Sequence, residues 1–208
     1  MKDRGDGWPI PFEGGGPTVA TVADEGVDTD LVKRAQHGDR DAFGLIAAGI
    51  ATRFLAISRR ILRDLDLAED ATQQALVAVW RDLPQLRDPA RFDAWSYRLL
   101  VRACYSEGRA ARRWSPSLRL LPEDAPEISS ALDEVIDRDQ LERGIRRLSV
   151  DHRAVLVLHY FADLPPDQVA SILEIPVGTV HSRLHYAMRA MRASLEADER
   201  APLSEAVR

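Results

Sequence analysis

The chain is 208 residues long, 45% hydrophobic and 29% charged, with a formal net charge of −5. This is ordinary for a soluble globular protein of one domain or two small ones, with apolar material for two modest cores rather than one large one. A single cysteine, Cys104, excludes a disulfide framework or a cysteine zinc site and fits a reducing cytoplasm. No apolar run approaches the length of a membrane span and the start lacks the apolar stretch of a signal peptide, so a cytoplasmic chain without membrane insertion is expected.

Residues 1–27 are rich in Gly, Pro and Asp without a sustained period and read as a disordered tail; residues 1–30 carry two basic against seven acidic side chains. Order is expected to begin near Asp28–Leu31, with Thr29 or Asp30 as a helix cap. Phe43, Ile46, Ile50, Phe54, Ile57 and Ile61 recur at spacings of three and four, one apolar stripe on a long helix. Arg63-Asp64-Leu65-Asp66 breaks it. A second helix is predicted over about Leu67–Leu83, burying Leu67, Ala71, Ala75, Val79 and Leu83, with Pro84 past its end. The loop LPQLRDPARF leads to a third helix over about Asp93–Arg113. Residues 87–119 hold eight arginines against three acids, a basic stripe inside an acidic total.

Three prolines and many polar residues over 114–133 predict a linker, assigned to 114–131 and acidic in character, since residues 120–139 carry a net −6. Helices resume over about Leu132–Leu148 and Asp151–Phe161. A compact pair follows: Pro166–Glu174, a turn at Ile175-Pro176-Val177, and Gly178–Leu195. No stretch alternates as a strand would. The fold class predicted is all-α: two small helical domains, 28–113 and 132–197, joined by a flexible linker and followed by a C-terminal tail over 198–208.

The last helix pair carries the most chemistry. Val169, Ile172 and Leu173 of its first helix face inward, as do Val180, Leu184, Ala187, Met191 and Leu195 of its second. Outward the second helix presents Thr179, His181, Ser182, Arg183, His185, Tyr186 and Arg189, and residues 176–195 contain three arginines and no acid. Two short helices with a tight turn, the second basic outward, make a helix-turn-helix whose recognition helix suits the major groove.

The string GTVHSRL and its surroundings (LSVDHRAVLVLHYFADLPPDQVASILEIPVGTVHSRLHYAMRAMRASL) resemble region 4 of the extracytoplasmic-function (ECF) sigma factors of bacterial RNA polymerase. AEDATQQALVAVW followed by RFDAWSYRLLVRAC resembles region 2 of the same family, and together the resemblance covers about residues 28–195. It implies a subunit that binds core RNA polymerase and recognises the −10 and −35 promoter elements to start transcription. On that resemblance Asp70, Gln73, Gln74 and Trp80 dock the polymerase, acid and amide groups suiting arginines on a partner helix. Arg87, Arg91, Phe92, Arg98, Arg102, Arg109, Arg112 and Arg113 meet the melted −10 strand, which needs cations and stacking surfaces. The outward residues of the recognition helix meet the −35 duplex. Trp95 is open between core and DNA contact, and Phe92 suits the core as well. Tyr186 and His181 stand where the family frequently has basic residues, and Arg102 where it often has Asn. A separate anti-sigma factor is expected as a further partner.

No nucleophile–base pattern or metal-ligand cluster supports an enzyme, so no catalytic residue, cofactor or metal is expected. His181 and His185 are four apart, as in zinc-protease helices, but no glutamate lies between them. The alternative reading is a stand-alone helix-turn-helix regulator with a helical N-terminal domain. Such a regulator would need an upstream ligand pocket or phosphoacceptor strand, which 28–113 does not offer.

Overall fold

The computed structural model describes residues 26–114 and 144–205, and among them every regular element is helical. The first helix, α1, spans Thr29–Gln36 and is capped one residue earlier than expected, Asp28 Oδ1 accepting the Asp30 N–H at 2.9 Å. The long helix read through the apolar stripe is interrupted at Gly38, whose φ of 93° lies in the left-handed region that favours glycine. Asp39 then caps α2, Arg40–Leu62, accepting the Ala42 N–H at 3.0 Å and an Arg34 N–H at 2.7 Å. These bonds, the backbone one foremost, hold the Asp39 carboxyl below its ordinary range. Gly followed by Asp is a stop and a start signal that the uninterrupted period concealed.

By length and composition α2 could cross a membrane, contrary to the expectation from sequence. Its apolar stripe is spent inside the bundle: Ile46, Ile50, Phe54, Ile57 and Ile61 are at most 2% exposed. Arg63, left-handed at φ 61°, ends α2, and Asp64 caps α3, Leu65–Asp82, accepting from the Leu67 N–H at 2.9 Å. Helix α4, Phe92–Trp114, packs on both α2 and α3. Where the three meet, Thr72 Oγ1 donates to the Ala68 carbonyl at 2.7 Å and lies 3.4 Å from Ser58 Oγ, which accepts from Cys104 Sγ at 3.4 Å. Burial pushes the Cys104 thiol up to about 11, which leaves it inert.

The second unit begins, within the described residues, at a helical turn ending at Arg146. Ser149 caps α5, Val150–Leu156, which loosens into one π-helical turn over Val157–Phe161. Helix α6, Pro166–Leu173, and α7, Val177–Glu205, complete the molecule; α7 runs past the expected end at Leu195 through much of the segment read as a tail. Its side chains are described only as far as Ala193. The expected N-terminal tail to residue 25, the linker from 115 and the expected helix up to 143 lie outside the described residues.

Where two cores were expected, the buried apolar residues form one continuous cluster from Val32 to Leu184. Gly108 of α4 lies at the seam: a Cβ there would lie 3.5 Å from Leu62 and 3.6 Å from Val150. The Arg60 guanidinium lies 3.6 Å from the centre of the Phe161 ring, a second bridge between the units.

Candidate polymerase and nucleic-acid interfaces

Helix α3 buries Ala68, Ala71, Thr72, Ala75 and Val79. The helical period therefore turns Asp70, Gln73, Gln74 and Val77 to solvent on one face. That face and α4 enclose a groove of about 610 Å³, lined by Asp70, Gln73, Gln74, Val77, Leu99 and Arg102 among others. Gln74 donates to Glu107 across it. Trp80 is 43% exposed, its ring 4.6 Å from that of Phe43, so one edge is anchored on α2 and the rest is available. Val77, 57% exposed, belongs to this surface and was missed; its spacing from Asp70 and Gln73 was the available signal.

The loop between α3 and α4 is stapled by α1: Gln36 Nε2 donates to the carbonyls of Leu83 and Leu86 at 3.1 and 2.7 Å. Asp88 caps the short turn Pro89–Arg91, leaving Arg87 and Arg91 exposed. Phe92 corrects the sequence assignment to DNA: it is 1% exposed, because the first turn of α4 must bury an apolar side chain under the loop. Trp95, half-buried with its ring 5.9 Å from that of Phe92, is the accessible aromatic there. Arg98 and Arg102, one helical turn apart, both reach the second unit. Arg98 donates to the Ser171 carbonyl at 3.0 Å, and Arg102 to Glu174 at 2.9 Å. Arg109 is exposed beside Tyr105, Ser149, Val150 and Asp151, around a hollow of about 220 Å³. The side chains of Arg112 and Arg113 lie outside the described residues.

In the α6–α7 pair, Val169, Ile172, Val180, Leu184 and Ala187 are buried. The turn is closed by the Thr179 and Val180 N–H groups, both donating to the Pro176 carbonyl. His181, Ser182, His185, Tyr186, Arg189 and Arg192 are exposed and Thr179 is half-buried. Arg192, one turn beyond Arg189 and missed at first, extends the cationic strip. Ser182 Oγ donates to the Thr179 carbonyl at 3.0 Å, which fixes its rotamer. The Tyr186 ring lies 4.5 Å from that of His152. Arg183 differs from its neighbours. It is half-buried on the side facing α4, where Asp151 and Arg183 both act on the Tyr105 phenol, itself raised well above its ordinary value chiefly by burial.

Residues 50–114 match the family model described as Sigma-70 region 2, and residues 138–191 that described as Sigma-70, region 4. The chain is 30% identical over 181 residues to RNA polymerase sigma-H factor of Pseudomonas aeruginosa, covering 81% of this chain and 94% of that protein. It is 35% identical over 144 residues to ECF RNA polymerase sigma factor SigL of Mycobacterium tuberculosis, covering 66% of this chain and 79% of that one. The chain belongs to the ECF branch of the sigma-70 family. It is also 27% identical to ECF RNA polymerase sigma-E factor of Escherichia coli over 82% of this chain and 95% of that one. A solved structure, CnrH in complex with the cytosolic domain of CnrY, has the same fold, with a TM-score of 0.60 and 24% identity over 83% of this chain and 99% of that one. As an ECF sigma factor the protein binds core RNA polymerase and promoter DNA and acts in transcription initiation. The matched region 2 includes α3 and α4, and the matched region 4 includes the helix-turn-helix.

Proposed function

We propose that the exposed α3 face, Asp70, Gln73, Gln74, Val77 and Trp80, docks core polymerase. In this reading Arg87, Arg91, Arg98, Arg102 and Arg109, with Trp95, line the melted −10 strand. Thr179, His181, Ser182, Arg183, His185, Tyr186 and Arg189 read the −35 duplex. The observation that carries this is the segregation of side chains. In α3 the buried Ala68, Ala71, Ala75 and Val79 leave Asp70, Gln73 and Gln74 outward beside the exposed Val77 and Trp80, and in α7 the buried Val180, Leu184 and Ala187 leave an outward face with His181, Ser182, His185, Tyr186 and Arg189. Cations on the strand-facing surface suit phosphate, and exposed Arg, His and Ser suit base edges. The protein acts by binding, from the cytoplasm, and contributes no catalytic group. The acidic segment 114–131 serves as a connector between the two reading units. A protein of the same fold is known in complex with the cytosolic domain of CnrY, which supports control of this chain by a separate protein.

Run-off transcription with core enzyme over a genomic fragment library tests the reading. Discrete transcripts sharing two upstream elements are expected. Tight binding of the isolated chain to one duplex site, with no transcript, would favour a stand-alone regulator and overturn it.

A further inference from the structure

Helix α1 buries Val32 and Ala35, and the helical period places Gln36 one turn beyond Val32 on the same face. An apolar side chain would complete that face; an amide there must find hydrogen-bond partners. Its partners are backbone atoms of one loop. Gln36 Nε2 donates to the Leu83 carbonyl at 3.1 Å and to the Leu86 carbonyl at 2.7 Å, 47 and 50 residues further along the chain. Both amide hydrogens are thereby used, and two facing acceptors fix which end of the amide is the nitrogen. The corner that delivers Gln36 is itself locked. Gly38 turns the chain at φ 93°, Arg34 Nε and Nη2 donate to Asp39 Oδ2 at 2.9 and 2.7 Å, and the Asp39 N–H donates to the Arg34 carbonyl at 3.2 Å.

The two carbonyls differ in what they control. That of Leu83 also accepts the Leu86 N–H at 3.1 Å, so Gln36 reinforces a turn already closed by the backbone. That of Leu86 belongs to the peptide unit whose N–H is Arg87's. A peptide is planar, so a bond on its oxygen fixes the plane from which Arg87 leaves. On the other side, Asp88 accepts the Ala90 N–H on its carboxylate at 3.1 Å and the Arg91 N–H on its carbonyl at 3.0 Å. Arg87 is thus the single residue between two fixed points. Its side chain is exposed and, among the described residues, makes no ion pair, whereas Arg91 lies 3.7 Å from the Asp88 carboxylate. A fixed backbone carrying an uncommitted guanidinium lowers the ordering cost of gripping a single strand.

We infer that Gln36 is a positioning residue for −10 discrimination, holding the Leu86–Arg87 peptide so that Arg87 meets the melted strand from one direction. The inference rests on the proposed reading of Arg87 as a −10 contact. Gln36 is part-buried and acts only through the loop. Without it Arg87 keeps its charge and loses its direction. Attraction to phosphate, which needs charge alone, survives; selection of a base, which needs a directed hydrogen bond, does not.

The test uses holoenzyme assembled from core polymerase and the full chain, on a promoter taken from the run-off screen with each −10 position replaced in turn. Initial transcription rates give the preference at each position. Gln36→Met keeps side-chain length and helix propensity and removes both donors. Preference should fall about tenfold at one −10 position, the effect of one well-directed hydrogen bond, with −35 preference and core affinity unchanged. Gln36→Lys returns donors to the same carbonyls at the C-terminal end of α1, where a cation is favoured, and should restore the preference. Any uniform gain in phosphate attraction from the added charge cancels in the ratio of rates. In an Arg87→Ala background, itself flat at that position, Gln36→Met should cause no further loss. Full additivity of the two substitutions would overturn the inference. So would a Gln36→Met loss spread equally over −10 preference, −35 preference and core binding and not rescued by lysine, which would make the amide a brace of the fold. Parent-like −10 preference in Gln36→Met, with Arg87→Ala still losing it, would overturn the inference and spare the −10 reading. Full preference in Arg87→Ala would overturn both.

Discussion

Arg53 Nη2 lies 3.2 Å from Asp93 Oδ1, joining α2 to the first turn of α4 across forty residues of sequence, with 8% of the Arg53 side chain exposed. The same guanidinium lies 5.2 Å from the centre of the Tyr97 ring. A cation this buried must keep its anion, because removing one partner leaves the other desolvated. Asp93→Ala is expected to lower unfolding stability by about 1–3 kcal/mol, less than a fully buried pair would show because Asp93 is 36% exposed. Urea unfolding measures it, and an unchanged midpoint would place the Arg53 charge elsewhere.

At Gly108 the expectation has the opposite sign. A Cβ there would meet Leu62 and Val150 at 3.5 and 3.6 Å, ordinary contact distances. Gly108→Ala should therefore stabilise the chain by about 0.5–1 kcal/mol through helix propensity. Thermal unfolding is the measurement. A loss would mean that the two units come closer at this point than the structure has them.

Much of this was legible in the sequence, and the exceptions have physical causes. Helical periodicity located α3, α4, α6 and the start of α7 to within two residues because each buries one clean face. The break at Gly38 was hidden because apolar spacing resumes in phase beyond it, although Gly38-Asp39 spells the punctuation. The exposed face of α3 was readable as the complement of Ala71, Ala75 and Val79, while its proposed docking role came from the family resemblance. Phe92 was read both as a −10 contact and as a core residue, because an aromatic at the mouth of a basic loop looks the same in sequence whether it points in or out; its burial settles it for the core. The pairing of Arg98 and Arg102 with Glu174 was not readable at all. It joins residues 72 or more positions apart, and no local pattern encodes a contact between two units.

The α3 face yields a separation of binding from folding. Asp70 is exposed and its helix is held by buried alanines beneath, so Asp70→Arg should leave the melting temperature within about a degree of the parent. Affinity for core polymerase should fall at least about tenfold, from a lost attraction and a new repulsion against a cationic partner helix. Surface plasmon resonance against immobilised core reads this directly. Full-strength binding would move the docking surface off α3.

His152 gives a pH dependence. Its ring is part-buried against Tyr186 and has Ser149 Oγ 2.6 Å from Nδ1. Desolvation first, then the positive charge of Arg183, lowers its pKa from the ordinary 6.5. With the folded value below the unfolded one, the unfolded chain takes up the proton first as pH falls. Stability from this group is therefore fully present above the unfolded value and is lost as pH drops through about 6.5 towards the folded value. Unfolding at about pH 7.5 and about pH 5.5 should show the decline, and His152→Gln should flatten that part of the profile. A parent and variant that decline in parallel would assign the effect to other groups.

Arg183 is the recognition-helix residue whose two roles can be told apart. It matches the arginine of the SRL string, and it lies near the N-terminal end of α7, the end that points into the groove in helix-turn-helix docking. The acid that could have braced it, Glu174, is held by Arg98 and Arg102, and Arg183 lies instead beside Asp151 and Tyr105 at the surface shared with region 2. The proposed −35 role requires that surface to open so that the guanidinium can reach the groove. Arg183→Ala should then cost about 1–3 kcal/mol of promoter binding by the holoenzyme and relax preference at one base pair of the −35 element. Arg189, exposed one turn and a half further on, should behave as a phosphate contact: Arg189→Ala weakens binding to all sequences and makes the salt dependence shallower by about one ion. Both are read by filter binding over a salt series with a library randomised at the upstream element. An Arg183→Ala protein that unfolds early, yet keeps its preference at every −35 position when folded, would make Arg183 a brace between the units and nothing more.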